Sequence, residues 1–259
     1  MNLNYSGKTI VVTGGASGIG AATARLFYDE GATVVLLDID GRGQALADSF
    51  GGRGRFMRCD VGNGTAVQQT FAALEYHYPT LDGLVNNAGI QTHGSVTGTT
   101  EDDWNRTLTV NLTSAFLCSK YAMPALLRAD KPVIINVSSI QALVCEAGVA
   151  AYASSKAALL GLTRSIAVDY APRLRCVAVC PGAVDTPMLR ADRTRPDLDA
   201  ATDPVAIVGE TQAIHLLNRI AEPDEIARFI VFLASEQAGF ATGQYFRVDG
   251  GIGVKISVQ

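Results

Sequence analysis

The sequence predicts an α/β fold, a doubly wound parallel sheet of about seven strands with helices on both faces. Three observations predict it. Short Val, Ile and Leu runs recur as continuous apolar stretches, the pattern of strands buried on both faces. Longer stretches with helical spacing separate them. No repeat, linker or low-complexity tract interrupts the alternation, so residues 1–259 read as one domain.

The strand runs fall at 9–13, 33–37, 55–59, 83–86, 133–137, 175–179 and 245–248. The helical patterns cover 18–30, 66–78, 101–128, 151–170 and 223–235. The last follows Glu222-Pro223-Asp224-Glu225, where Pro and acids suit a helix N-terminus. Only the stretch at about 188–218 breaks the rhythm, and a long irregular insertion in a compact domain predicts a lid over a binding site.

Composition excludes several classes. The chain is 48% hydrophobic and 18% charged, enough apolar material for a large core. Its net charge of -4 argues against a nucleic-acid footprint. No apolar run approaches the roughly 20 residues of a membrane span, and the first eight residues lack a signal-peptide layout. A cytoplasmic protein is expected. The five cysteines contain no CxxC pair, and Cys176 and Cys180 lie in a strand run without a nearby His. Free buried thiols are expected, with no metal.

The first strand run leads into Thr13-Gly14-Gly15-Ala16-Ser17-Gly18-Ile19-Gly20. Glycines there permit a tight turn and close approach of backbone N–H groups to a pyrophosphate, and the helix N-terminus adds a favourable dipole. Asp38 ends the second run, placed to accept hydrogen bonds from adenosine ribose hydroxyls. With this context the fold reads as Rossmann-like and dinucleotide-binding. Asp38 would repel a 2′-phosphate, and neither Ser17 nor Ile39 is basic, so the expected cofactor is NAD. Arg42 reads as solvated, and Asp40 as a turn residue.

Tyr152 and Lys156 stand four apart on one predicted helix face. A neighbouring ammonium favours phenolate, so the pair forms a candidate general acid/base unit with a lowered tyrosine pKa.

These motifs, in this order, resemble the short-chain dehydrogenase/reductase family in its compact single-domain branch. Thr13–Gly20 resembles the family's TGxxxGIG turn, Asn86-Asn87-Ala88-Gly89 its NNAG run, and Asp60-Val61 its adenine contacts. Asn111, Ser139, Tyr152 and Lys156 match its catalytic positions, and Pro181-Gly182-Ala183-Val184-Asp185-Thr186 resembles its nicotinamide loop. The resemblance implies an enzyme interconverting secondary alcohols and ketones. Tyr152 would be the base, and Lys156 would tune it and bind ribose. Ser139 would hold the substrate oxygen, and Asn111 would distort its helix and hold a relay water. Ser138 is the alternative serine. The implied cofactor contacts are Gly14, Ser17, Gly18, Ile19, Gly20, Asp38, Ile39, Asp60, Val61, Asn87, Ala88, Gly89, Tyr152, Lys156, Pro181, Gly182, Val184 and Thr186.

Ser139, Tyr152, Gln91, His93 and Gln141 are the expected substrate contacts, with His93 equally readable as an exposed loop residue. They suggest a small polar alcohol such as a polyol, sugar or hydroxyacid. Gln91 and Gln141 resemble the carboxylate grip of hydroxybutyrate-type members, but Val149 stands where a base would be expected. Arg190, Arg193 and Arg195 could replace that charge, or be solvated. Leu112, Ala115, Phe116, Leu159, Leu162 and Ile166 are expected between subunits of a homotetramer, as family members commonly assemble through these helices. An NADPH-linked 3-ketoacyl reductase and a non-catalytic nucleotide sensor are the competing readings.

Overall fold

The computed structural model describes residues 3–193 and 211–254. Its strands are β1 (Thr9–Thr13), β2 (Thr33–Asp38), β3 (Gly54–Arg58), β4 (Gly83–Asn86), β5 (Val133–Val137), β6 (Arg175–Pro181) and β7 (Tyr245–Val248). They form one seven-stranded sheet in the order β3-β2-β1-β4-β5-β6-β7, with every pairing parallel. The helices are α1 (Gly18–Asp29), α2 (Arg42–Ser49), α3 (Gly64–His77), α4 (Glu101–Leu108), α5 (Ser114–Leu126), α6 (Ala150–Tyr170), α7 (Pro187–Arg193) and α8 (Pro223–Ala234).

Successive residues of the central strands feed opposite cores, as the two-residue strand period requires. Ile10, Val12, Val34 and Leu36 meet Phe27 of α1 and Ile226 and Ile230 of α8 on one face. Val11, Val35 and Leu37 meet Phe71 of α3, Ala122 of α5 and Ile166 of α6 on the other. Because both faces are covered, these strands are apolar throughout. A buried polar chain crosses the second layer, where Asn86 Nδ2 donates to Asn136 Oδ1 at 2.8 Å and Asn136 Nδ2 donates to Thr163 Oγ1 at 2.9 Å.

Several boundaries differ from the sequence reading. β2 extends to include Asp38, and β6 runs on to Pro181, so both deliver their last residue to the sheet's carboxyl edge. β3 starts and ends one residue earlier than expected. α3 starts at Gly64 because the Asn63 side chain caps it, accepting from the Thr65 and Ala66 N–H groups. α2 had no counterpart among the expected helices; of its large apolar side chains only Leu46 is buried, so it shows little periodicity. The stretch 101–128 is two helices joined by a π turn at Thr109–Thr113.

The start of the expected lid is helical as α7, and 194–210 lie outside the described residues. Ala115, Leu159 and Ile166 are buried in the chain's own core and therefore not free to form a subunit contact, whereas Phe116 is 46% exposed. Among the described residues no helix is long and apolar enough to cross a membrane.

Candidate active site

The strand order reverses between β1 and β4, which opens a crevice at their carboxyl ends. Thr13 zips its floor: Thr13 Oγ1 accepts from the Asn87 N–H at 3.0 Å and the Ala88 N–H at 3.1 Å. Asn87 Nδ2 returns bonds to the Thr13 and Gly14 carbonyls. Above this floor runs a cleft of about 760 Å³.

At one end lies the glycine turn. Gly14 has φ +63°, and a Cβ there would sit 2.9 Å from Ala88 Cα. A Cβ on Gly20 would fall 2.0 Å from the Gly14 carbonyl oxygen, so α1 rests directly on the turn. Gly20 is thus a packing residue beneath the cleft rather than part of its lining. Ser17, Gly18 and Ile19 do line it, and their N–H groups donate to no acceptor among the described residues. Ser17 makes no side-chain cap, and no acid stands in the first turn of α1. Unpaired donors, a positive helix terminus and a Cβ-free approach fit a pyrophosphate.

Asp38 is fixed beside this turn, its carboxylate accepting from the Ala16 and Asp40 N–H groups at 2.9 Å each. Ile39, Asp60, Val61, Asn87, Ala88 and Gly89 complete this part of the cleft. Arg42 is not simply solvated: its guanidinium is hydrogen-bonded and ion-paired to Asp40, which raises the arginine pKa and lowers that of the acid. Sequence reading missed Asn105, Arg106, Thr109 and Val110, which enter the cleft from α4 and the π turn. Their closeness in sequence to Asn111 was the available signal.

At the other end, β5 delivers Ser138 and Ser139, and α6 delivers Tyr152 and Lys156. The two serines do different work. Ser138 Oγ donates to the Lys156 carbonyl at 2.7 Å and ties β5 to α6. Ser139 Oγ accepts from the Gln141 N–H at 3.1 Å and stands close enough to the Tyr152 hydroxyl to lower its pKa.

Lys156 Nζ donates to the Val137 carbonyl at 3.0 Å and lies 5.7 Å from the centroid of the Tyr152 ring. Burial pushes the phenol up to about 12, opposed by the nearby Ser139 hydroxyl and assisted by the Glu146 and Asp192 carboxylates. Burial also pulls the Lys156 ammonium down to about 8, with Cys180 acting the other way. The sequence expectation of a phenol pKa lowered by Lys156 is therefore corrected for the protein alone: desolvation outweighs the lowering, which comes from Ser139.

Asn111 lies in the π turn, buried and behind the cleft lining. Its Oδ1 accepts from the Ile90 N–H at 2.8 Å, and its Nδ2 donates to the Ile90 carbonyl at 2.9 Å and to Ser155 Oγ at 3.0 Å. Ser155 in turn donates to the Tyr152 carbonyl. Asn111 and Lys156 flank Gly89, where a Cβ would lie 3.2 Å from Asn111 Oδ1 and 3.4 Å from Lys156 Nζ.

Gln91 and Gln141 line the catalytic end. Gln141 Oε1 accepts from the Glu146 N–H at 3.1 Å. His93 does not line it; its Nε2 sits 2.5 Å from Asp192 Oδ1, joining the loop after β4 to α7. Cys145 is exposed, contrary to the expectation of buried thiols, while the other four cysteines are buried. Val149 is buried and bridges Gly94, so it offers no cleft contact. Arg190 forms a two-bond pair with Asp185, and Arg195 lies outside the described residues, as does the side chain of Arg193. Pro181, Gly182, Val184 and Thr186 line the cleft between its two ends.

The family model described as enoyl-(acyl carrier protein) reductase matches residues 14–253. The chain is 39% identical over 249 residues to a cyclopentanol dehydrogenase of Comamonas testosteroni, covering 94% of this chain and 96% of that one. A solved Thermoplasma acidophilum aldohexose dehydrogenase superposes with TM-score 0.89 at 38% identity, covering 98% and 97% of the two chains. A variant of a Serratia marcescens short-chain dehydrogenase/reductase superposes with TM-score 0.85 at 35% identity, covering 96% and 98%. The chain belongs to the short-chain dehydrogenase/reductase family. Dehydrogenases of this family act on CH–OH groups with a nicotinamide dinucleotide, and the donor turn and Cβ-free cradle fit such a group.

Proposed function

We propose that the protein is an NAD-dependent oxidoreductase that interconverts a secondary alcohol and a ketone, with Tyr152 as general base or acid. The observation that carries this reading is Ser139, Tyr152 and Lys156 brought together in the lining of a cleft that also holds Asp38. Residues 1–259 act as one catalytic unit, and 188–218 serve as its substrate lid.

Bound oxidised nicotinamide supplies the hydride acceptor and a positive charge. Tyr152 takes the substrate hydroxyl proton in oxidation and returns it in reduction. Ser139 donates a hydrogen bond to the substrate oxygen as its charge changes. Lys156, held by the Val137 carbonyl, keeps a cation beside the phenol and binds ribose hydroxyls. Asn111 holds the Gly89–Ile90 backbone against α6 and thereby the wall of the proton path. In the protein alone the phenol is neutral, the form that protonates a ketone; alcohol oxidation needs the added positive charge.

Asp38 supports NAD over NADP. Its carboxylate lines the cleft, and Arg42, the cation nearest in sequence, is engaged by Asp40. That also disfavours the NADPH-linked ketoacyl reductase. A nucleotide sensor needs no Ser139–Tyr152–Lys156 constellation.

Glu146 and Asp192 both raise the Tyr152 pKa, so their fields reach the reacting group. An anionic hydroxyacid would meet that negative potential, which narrows the substrate to a neutral polyol, sugar or cyclic alcohol. The named relatives act on cyclopentanol and on aldohexose. Phe116 on α5 and Val168 on α6, 46% and 81% exposed, support burial between subunits of a homotetramer.

The test is to supply NAD or NADP with a panel of neutral alcohols and 3-hydroxyacids and follow nicotinamide reduction. Turnover is expected with NAD, favouring neutral alcohols by at least about tenfold, the scale of one unfavourable charge contact. Faster turnover with NADP, or NAD binding without turnover of any alcohol, would overturn the reading.

A further inference from the structure

We infer that His215 is a positioning residue for the nicotinamide end of the cleft, accepting the Ala183 N–H and so aiming the Val184 N–H at the nicotinamide carboxamide. The inference rests on the cofactor reading above.

His215 lies near the carboxyl end of the expected lid, in its described part, and is 2% exposed. Its ring is wedged between two glycines: a Cβ on Gly182 would lie 2.9 Å from Nε2, and one on Gly250 would lie 3.1 Å from Cδ2. Nδ1 is 2.7 Å from the Thr211 carbonyl oxygen, which only accepts, so Nδ1 carries the hydrogen. Nε2 is 3.2 Å from the Ala183 nitrogen, whose N–H only donates, so Nε2 is bare. The two partners together select one neutral tautomer. Through these two bonds the ring bridges its own segment and the turn after β6.

That turn is pinned at every amide but one. The Gly182 N–H donates to Val248 O at 3.0 Å, the Asp185 N–H donates to Ala221 O at 2.9 Å, and the Ala183 carbonyl accepts from the Ala221 N–H at 2.9 Å. The Val184 N–H donates to no acceptor among the described residues, and Val184 lines the cleft. In a trans peptide the C=O and the following N–H point in opposite directions. Holding the Ala183 carbonyl on Ala221 therefore sends the Val184 N–H the other way. His215 fixes the preceding peptide plane, so both dihedrals of Ala183 are set. Without the imidazole acceptor, a buried N–H is left unpaired and the turn has reason to rotate.

The test compares NADH with ADP-ribose, which lacks the nicotinamide, by equilibrium binding to wild type, His215→Leu and His215→Gln. His215→Leu is expected to weaken NADH about tenfold, the loss of roughly one net hydrogen bond. ADP-ribose affinity should stay within about twofold in the same variant. His215→Gln keeps one donor and one acceptor and should recover most of the NADH affinity. Equal losses for both ligands, or no loss for either, overturn the inference. Should His215→Leu fail to fold, the imidazole ¹⁵N spectrum of wild type with NADH decides. The Nδ1–H tautomer with a bare Nε2 supports the inference, and an Nε2–H tautomer overturns it. If neither ligand binds wild type, the cofactor reading itself fails, a distinct outcome.

Discussion

Burial sets the Lys156 pKa near 8, so at neutral pH folding has taken an ammonium out of water. The sign of the stability effect follows from linkage. The unfolded chain holds this proton up to its ordinary value near 10.4, whereas the folded chain releases it near 8. The penalty is full below pH 8 and shrinks as pH rises from there towards the unfolded value. Replacing Lys156 by Met should thus raise the unfolding free energy at pH 7, relative to its effect at pH 10, by on the order of 1–3 kcal/mol. Denaturant unfolding of wild type and variant at the two pH values measures this; an equal effect at both would show that Lys156 carries no such penalty. Only the unfolded form of Tyr152 begins to ionise at pH 10, and because wild type and variant both carry this tyrosine the comparison between them reports Lys156. Spacing made this pair visible in the sequence, but the direction of its pKa shifts was not. They come from packing contributed by elements far away in the chain. The same holds for the serines, since only the fold shows that Ser138 faces the Lys156 carbonyl and Ser139 faces Tyr152.

Among the elements, strands were the most legible because two-sided burial writes itself as uninterrupted apolar runs. Helix α2 was not, since it presents little more than Leu46 and Ala47 to the core. The break between α4 and α5 left no mark on periodicity, because a π turn adds one residue without changing the residue types; only the family resemblance placed a distortion there, at Asn111. The turn from β1 into α1 was legible through its glycines, and its geometry gives a sharp contrast between two of them. Gly20→Ala places a methyl 2.0 Å from the Gly14 carbonyl, a contact that only a backbone shift can relieve. A destabilisation of about 1–3 kcal/mol is expected, together with weaker NADH binding. Gly41→Ala, at φ -59° with nothing within 4 Å, should be neutral or slightly stabilising. Thermal unfolding and NADH titration of the two variants measure the difference, and equal behaviour would contradict the turn's role.

For the whole molecule, the doubly wound parallel sheet followed from the alternation of elements, while its strand order and the cleft's far wall did not. His93 meets Asp192 and His215 meets Ala183 only through the fold. The proposed tetramer belongs to this scale as well. Leu159 and Ile166 turn inward, so of the expected contact Phe116 stays exposed, and Val168 on α6, not expected from the sequence, joins it. Phe116→Glu combined with Val168→Glu should lower the mass in solution below four chains, as read by light scattering, and wild type should show four. A monomeric wild type would rule the assembly out.

The central claim is that Tyr152 moves the proton. Single-turnover reduction of NAD by a saturating alcohol substrate, wild type against Tyr152→Phe, tests it most directly. The account predicts a loss of about 10²–10⁴-fold in rate, the contribution of one general acid/base group, with NADH affinity unchanged within about threefold. A Tyr152→Phe protein that reduces NAD at the wild-type rate would contradict it.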